Sequence, residues 1–407
     1  MEVHMKDSKS RLFTYVSILL ILCMSIVLAT SCSGSDGEEP GEEPAEIVQV
    51  ATNPLTGETA EDGFDENALN QRIAAFVVEN TPDARPQWGL DDPNYSPDIV
   101  LQGEVEGGIT RTLWFYADYN KLPEVIGPMR SARPPYIRFS ELFDSVFIHW
   151  GQSSSKGDYV GANTIFRKHK VDHINQMTFN DQVGLYDRDH TRGTAIEHRG
   201  ILYGSKVPAA LKQEGFREEP KDYTHLKFGT LGWITAFDTA SAIGVRYSDR
   251  ASSQSTYWTY NEEDQKYHTS SFENDFSRDN LLVLYDNTEY IEKYNYGGSG
   301  ASVVYCDYKF KGGKGKLFSK GLVKDIEWKR EDGKLVLIDT ELTRIAQERA
   351  AAEEAAEEAE DQDKEDADDK DDGEEEEPII VQASLNKGKT WIGWISANNG
   401  GSIDIQE

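Results

Sequence analysis

Short runs of β-branched and aromatic residues, cut by clusters of Gly, Pro, Asn and Asp, recur from Ile73 to Ile395 and point to a folded region built largely of strands. Ile73–Val78, Ile99–Leu101, Thr112–Ala117 and Ser145–Trp150 have the content of buried strands, and Tyr136–Phe143 and Pro208–Glu214 predict short helices between and after them. This mixture predicts a mixed α/β sheet domain over 52–219. From about Lys221 the texture changes. Ile243–Tyr247, Ser255–Tyr260, Asn280–Tyr285, Ala301–Tyr305, Lys324–Trp328 and Thr390–Ile395 read as successive strands separated by turn residues, predicting a β-rich domain over 220–407. The expected fold class is therefore α+β.

The formal charge of −30 is unevenly placed. Residues 348–377 hold eighteen acidic residues against Arg349, Lys364 and Lys370, which is half of the total charge. This stretch lies inside an insertion at about 343–377 that interrupts the β-rich half. Its Ala- and Glu-rich first part, Thr343 to Glu360, has helical propensity, and the remainder has no apolar period with which to fold. No fixed-spacing ligand pattern accompanies the acids, so a solvated charge run is expected in place of a metal site. The acidic balance argues against nucleic acid as a partner.

The first 32 residues follow the order of an export signal: Lys6, Lys9 and Arg11, then the apolar run Leu12 to Leu28, then small residues ending at Cys32. Leu28-Ala-Thr-Ser-Cys32-Ser33 resembles a lipobox, with Ala29 where a leucine is usual, and assigns Cys32 as the lipid attachment site. An uncleaved signal anchor is the alternative, since the run approaches the length that spans a bilayer. Residues 33–51 carry six acids, no base and no apolar period, which suits a tether. After processing at Cys32, Cys306 would be the single thiol left, so no intramolecular disulfide is expected.

Four polar segments stand out between the apolar runs: Glu104–Arg111, Ile126–Pro134, His149–Ser154 and Asp187–Arg192, with Glu197-His198 shortly after. Gly127-Pro128 places a turn before Arg130 and Arg133, and two arginines so spaced can converge on an anion by bidentate hydrogen bonds, with Arg111 joining them. The opposite reading pairs these arginines with Glu104 and Glu106 inside the fold. His149 sits at a strand end, where Asp189, His190 or His198 would make it a base or metal ligand, or where it would be a satisfied structural residue. Arg188, Asp189 and His198 complete the candidate ligand set. Ser131 as a nucleophile for His149 has no support in spacing, and Lys387-Gly-Lys-Thr390 lacks the glycine spacing of a phosphate loop. Tyr257, Trp258, Tyr260, Trp391 and Trp394 suit core packing better than a sugar platform. No metal and no cofactor is called for.

These segments, with Asn53–Glu58, Ala84–Leu90, Tyr294–Gly300, Ile326–Lys329 and Leu385–Trp394, resemble the YerB-like bacterial lipoproteins, whose folded part pairs N- and C-terminal domains of unknown function. The resemblance covers roughly residues 52–342 and 378–396; the acidic insertion falls outside it. It implies a lipoprotein of Gram-positive envelopes connected with cell-wall synthesis machinery, and no established reaction. Two functions follow as expectations. The first is a non-catalytic binding or scaffolding module held on the outer face of the cytoplasmic membrane, taking wall polymer or a cell-wall synthesis protein. The second is an envelope hydrolase or transferase acting on an anionic glycan or phosphate-bearing substrate. Solute capture for a transporter ranks last, because repeated α/β lobes are missing from the pattern.

Overall fold

The structure is a computed structural model and describes residues 50–221, 226–229, 238–294, 300–361 and 378–407. The leader with Cys32, the tether up to Gln49 and the second part of the acidic insertion, 362–377, lie outside the described residues.

The first half contributes β1 (Ala74–Glu79), β2 (Ile99–Glu104), β3 (Thr110–Tyr116), β4 (Val125–Ile126), α1 (Pro134–Glu141), β5 (Val146–His149), α2 (Ala162–His169), β6 (His173–Asn175), β7 (Tyr186–Arg188), β8 (Gly200–Tyr203) and α3 (Val207–Glu214). The second half begins with β9 (Lys227–Phe228), β10 (Asp238–Thr239), β11 (Ala242–Arg246), β12 (Thr256–Asn261), β13 (Lys266–Thr269), β14 (Phe276–Arg278) and β15 (Asn280–Asp286). It continues with β16 (Thr288–Lys293), β17 (Val303–Tyr308), β18 (Gly313–Ser319), β19 (Leu322–Glu331), β20 (Lys334–Asp339), α4 (Thr340–Asp361), β21 (Ser384–Leu385), β22 (Thr390–Ser396) and β23 (Ser402–Gln406). The expected strands and helices are present, which makes the fold α+β. Helix α2 is an addition that the sequence reading did not contain.

An eleven-stranded mixed sheet runs in the order β10-β19-β18-β15-β22-β2-β3-β1-β5-β6, with β20 on β19. Strand β22 is its seam. It pairs in parallel with β15 on one side and β2 on the other, Thr390 facing both Asn280 and Ile99. The change of texture near residue 220 is therefore a change in local pattern and not a break in the sheet. A strand paired on both edges and covered on both faces has no wet side, so its sequence reads as a continuous apolar run and not as an alternation. Thr390–Ser396 is buried at every position.

Alternate residues of the central strands feed two cores, one on each face. Leu101, Leu113, Leu282, Ile392 and Trp394 pack under α1, α2 and the β16–β17 hairpin. Val100, Trp114, Leu281, Val283 and Trp391 pack under the five-stranded sheet β14-β13-β12-β11-β23, α3 and the small β4-β8-β7 sheet. Trp394 stacks on Tyr308 with ring centroids 3.9 Å apart and touches Phe139 of α1. Gly393 lets Trp391 lie flat, since a Cβ there would come within 2.5 Å of its ring. The aromatic residues Trp258, Trp391 and Trp394 are thus core and not a sugar platform, whereas Tyr257 is exposed.

The Ala- and Glu-rich segment forms α4 as its composition predicts, with Arg344 paired to Glu341 and Glu348, and Arg349 to Glu353, at helical spacing. Because Trp394 serves elements from both halves, Trp394→Ala should lower the unfolding free energy by roughly 3–5 kcal/mol. The loss should appear in amide exchange on both sides of residue 220 at once; exchange confined to the second half would show that the halves unfold independently.

Candidate functional site

Residues Met129 to Ala132 run extended, bridged to Val78 through Met129 and to Gln152 through Ala132. In an extended segment successive side chains alternate, so residues three apart leave on opposite sides. Arg130 and Arg133 accordingly diverge, and the expected convergence of Arg111, Arg130 and Arg133 on one anion does not occur.

Arg133 turns inward. Its Nε donates to Glu106 Oε2 at 2.7 Å and its Nη2 to Glu106 Oε1, a bidentate fork. Arg111 reaches the same carboxylate, 3.2 Å from Oε1, and donates to the Ser131 carbonyl. Both guanidiniums are buried. Burial works against the Glu106 charge, but Arg133 and Arg111 outweigh it and hold the carboxyl at about 2. These two arginines hold the loops together, as the ion-pair reading expected, with one change of partner. Glu104 pairs with neither; it accepts from Ser248 and Tyr290 hydroxyls across the sheet.

Arg130 turns outward, to the rim of an open cleft of about 470 Å³. Its Nε lies 3.2 Å from Glu79 Oε1 and its Nη1 donates to the Glu197 carbonyl. Glu79 is 2% exposed and also holds His198, whose Nδ1 is 2.9 Å from Oε2. The sequence reading missed Glu79. Its signal was a lone acid ending the apolar run Ile73–Val78.

Arg188 also lines the cleft, placed by the β7–β8 pairing that sets it across from Gly200. Its guanidinium stacks 4.6 Å above the Trp150 ring, and Gly200 supports the ring from close contact, since a Cβ there would meet it at 2.7 Å. Asn175, Met177 and Glu197 also line the cleft. Asn175 Oδ1 accepts the Gly151 and Met177 amides, leaving its NH2 end with no acceptor among the described residues. Arg130 Nη2 and Arg188 Nε and Nη2 likewise have none. The cleft wall therefore carries surplus donors, set against one lining carboxylate, Glu197. That carboxyl is held below its usual range by its own backbone amide and by the charges of His198, Arg130 and Arg188.

His149 is not in this cleft. It is fully buried, stacked on Phe166, with Nδ1 2.6 Å from the Gly151 carbonyl and Nε2 3.0 Å from His173 Nδ1. A carbonyl only accepts, so Nδ1 carries the proton, Nε2 accepts from His173, and the pair is neutral. It meets neither Asp189 nor His198, and Ser131 donates to the Trp150 carbonyl instead of facing it. Asp189 is turned into a local cap on Thr191. Of the expected set, Arg130 and Arg188 line the cleft and His198 pairs with Glu79 beside it; Arg111, Arg133, His149 and Asp189 make their contacts elsewhere in the fold.

The layered mixed sheet has a counterpart among known proteins. Residues 55–217 match the N-terminal domain of DUF3048, a protein family of unknown function, and the cleft is built wholly from that segment. The chain is YerB-like. It is 27% identical over 325 residues, 77% of its own length, to YerB of Bacillus subtilis (strain 168), covering 87% of that protein, whose name classes it provisionally as a lipoprotein. The crystal structure of YerB from Bacillus subtilis superposes with a TM-score of 0.60 at 23% identity, covering 87% of this chain and 99% of that one, which establishes the shared fold.

Two outcomes follow. Arg133→Ala strands Glu106 beside a single guanidinium and should cost about 3–5 kcal/mol in chemical denaturation, whereas Arg130→Ala leaves Glu79 with His198 and Thr81 and should cost no more than about 2 kcal/mol. Burial holds His149 down at about 3 and His173 at about 4, below the ordinary 6.5. The unfolded chain therefore takes up protons that the native pair refuses, and stability should fall as pH drops from about 6.5 toward 3, by up to ~1.4 kcal/mol per pH unit for each histidine. His149→Gln should flatten that slope in denaturation curves measured across this range; an unchanged slope would place the acid sensitivity elsewhere.

Proposed function

We propose that this protein is a lipid-anchored, non-catalytic binding module of the cell envelope, held on the outer face of the cytoplasmic membrane through Cys32. Its cleft takes an oxygen-rich, anionic segment of a wall polymer. The anchor rests on the Leu28–Ser33 motif and on the name of the Bacillus relative. The ligand class rests on one observation: Arg130, Arg188 and Asn175 bring more hydrogen-bond donors to the cleft than the protein supplies acceptors. In a chain of formal charge −30, a wall with two arginines and one carboxylate is a local site for carboxylate or phosphate oxygens. Glu79, shielded behind the wall, fixes Arg130 in place, so binding loses little side-chain freedom.

Detergent-solubilised full-length protein should be retained on purified wall polymer, more weakly as salt rises, and Arg130→Ala combined with Arg188→Ala should reduce retention at least about tenfold while melting still shows a cooperative folded state. Equal retention by the double variant would overturn the anion reading. Capture of a membrane protein instead would make the module a scaffold, and cleavage of the retained polymer would move it to the hydrolases or transferases.

A further inference from the structure

A second cavity, of about 290 Å³, lies on the side of the fold where residues 53–65 cover the ends of β2 and β3. Its lining carries five carboxylates, Glu58, Asp62, Asp65, Asp98 and Asp118, against Lys121 and Lys389. Most of these charges are already engaged. Asp62 is paired with Lys387, Asp65 caps the Asn67 amide, and Asp118 accepts from the Asn120 amide. Lys389 donates to the carbonyl and hydroxyl of Ser96, and Lys121 to the Gly63 carbonyl.

Two carboxylates remain. Glu58 accepts from the Thr56 hydroxyl and Asp98 from the Ala117 amide, and neither has an ion-pair partner among the described residues. Burial raises both carboxyls above their usual range, and the charge of Asp98 adds to the rise at Glu58; Lys389 near both, and Asn53 and Arg278 at Asp98, pull the other way without making up the difference. A third group faces the same cavity. Tyr116 is 2% exposed, and its hydroxyl has no hydrogen-bond partner. A buried orphan hydroxyl costs about 1–3 kcal/mol and calls for a missing partner.

The structure assigns this cavity as a binding site for a primary ammonium group, held by Glu58, Asp98 and the Tyr116 hydroxyl. Two carboxylates and one hydroxyl offer three acceptors, and an –NH3+ group carries three donors. A metal ion fits less well, because among the described residues no three His, Cys, Asp or Glu side chains converge at ligand spacing. The site shares no lining residue with the arginine cleft and is opposite to it in sign. The amine can come from a small free compound or from an amino group borne on an envelope polymer.

Titration calorimetry on detergent-solubilised full-length protein tests this, with n-propylammonium chloride as the probe and tetramethylammonium and calcium chlorides alongside. Saturable heat from propylammonium and none from tetramethylammonium, which has no N–H to donate, is the expected result. Asp98→Asn and Glu58→Gln should each weaken binding at least about tenfold, and Tyr116→Phe a few-fold. Glu58→Gln keeps the test alive should Asp98→Asn fail to fold, and melting of each variant checks this. Retention on wall polymer that disappears on N-acetylation of the polymer would identify a polymer-borne amine; unchanged retention would identify a free one. No heat from propylammonium, or saturation by calcium alone, overturns the assignment.

Discussion

The fold depends on the burial of β22 between β2 and β15. One seven-residue strand, Thr390–Ser396, closes the sheet between elements that precede it by more than a hundred residues. Its parallel pairing on both edges satisfies the backbone, and its alternating tryptophans bind the layers: Trp391 into one face, Trp394 into the other. The hydroxyl of Tyr308 reinforces the seam. It donates to the Trp394 carbonyl and accepts the Glu104 amide, tying β17, β22 and β2 at one point.

The same seam fixes the ground on which the polar segments stand. Because β1, β2 and β3 are locked in register, Glu79, Glu104 and Arg111 emerge from adjacent strand ends, and each carboxylate meets a different partner. Glu106 neutralises two buried arginines, Glu79 holds one arginine at a solvent rim, and Glu104 joins the two halves through Ser248 and Tyr290. Buried charge is costly unless paired, so this allotment decides which arginines are committed to the fold and which retain donors for a ligand.

The sequence exposed the strand ends and the polar clusters between them but not their assignment. Arg130 and Arg133 look equivalent as text, both following Gly127-Pro128. Their spacing of three positions along an extended segment sends one into the Glu106 pair and the other to the cleft. His149 looked like a strand-end ligand, yet its strand lies beside β6, and His173 fills its second nitrogen. Glu79, Trp150 and Asn175 were overlooked because a single acid, ring or amide in an apolar context carries no spacing to mark it. The cavity around Tyr116 was invisible for the same reason: Glu58, Asp98 and Tyr116 share no motif.

By itself, then, the sequence determined the kinds of element and their places along the chain, since hydrophobic period, turn residues and the helical bias of an Ala- and Glu-rich segment act over a few neighbouring residues. It also carried the resemblance to the YerB-like proteins through motifs long enough to be specific. Only the tertiary structure decided that both halves share one sheet, which arginine pairs with which acid, and which donors and acceptors are left unmatched at a surface. Those outcomes depend on contacts between residues far apart in the chain. Pairing and desolvation are properties of such contacts, and no local pattern records them.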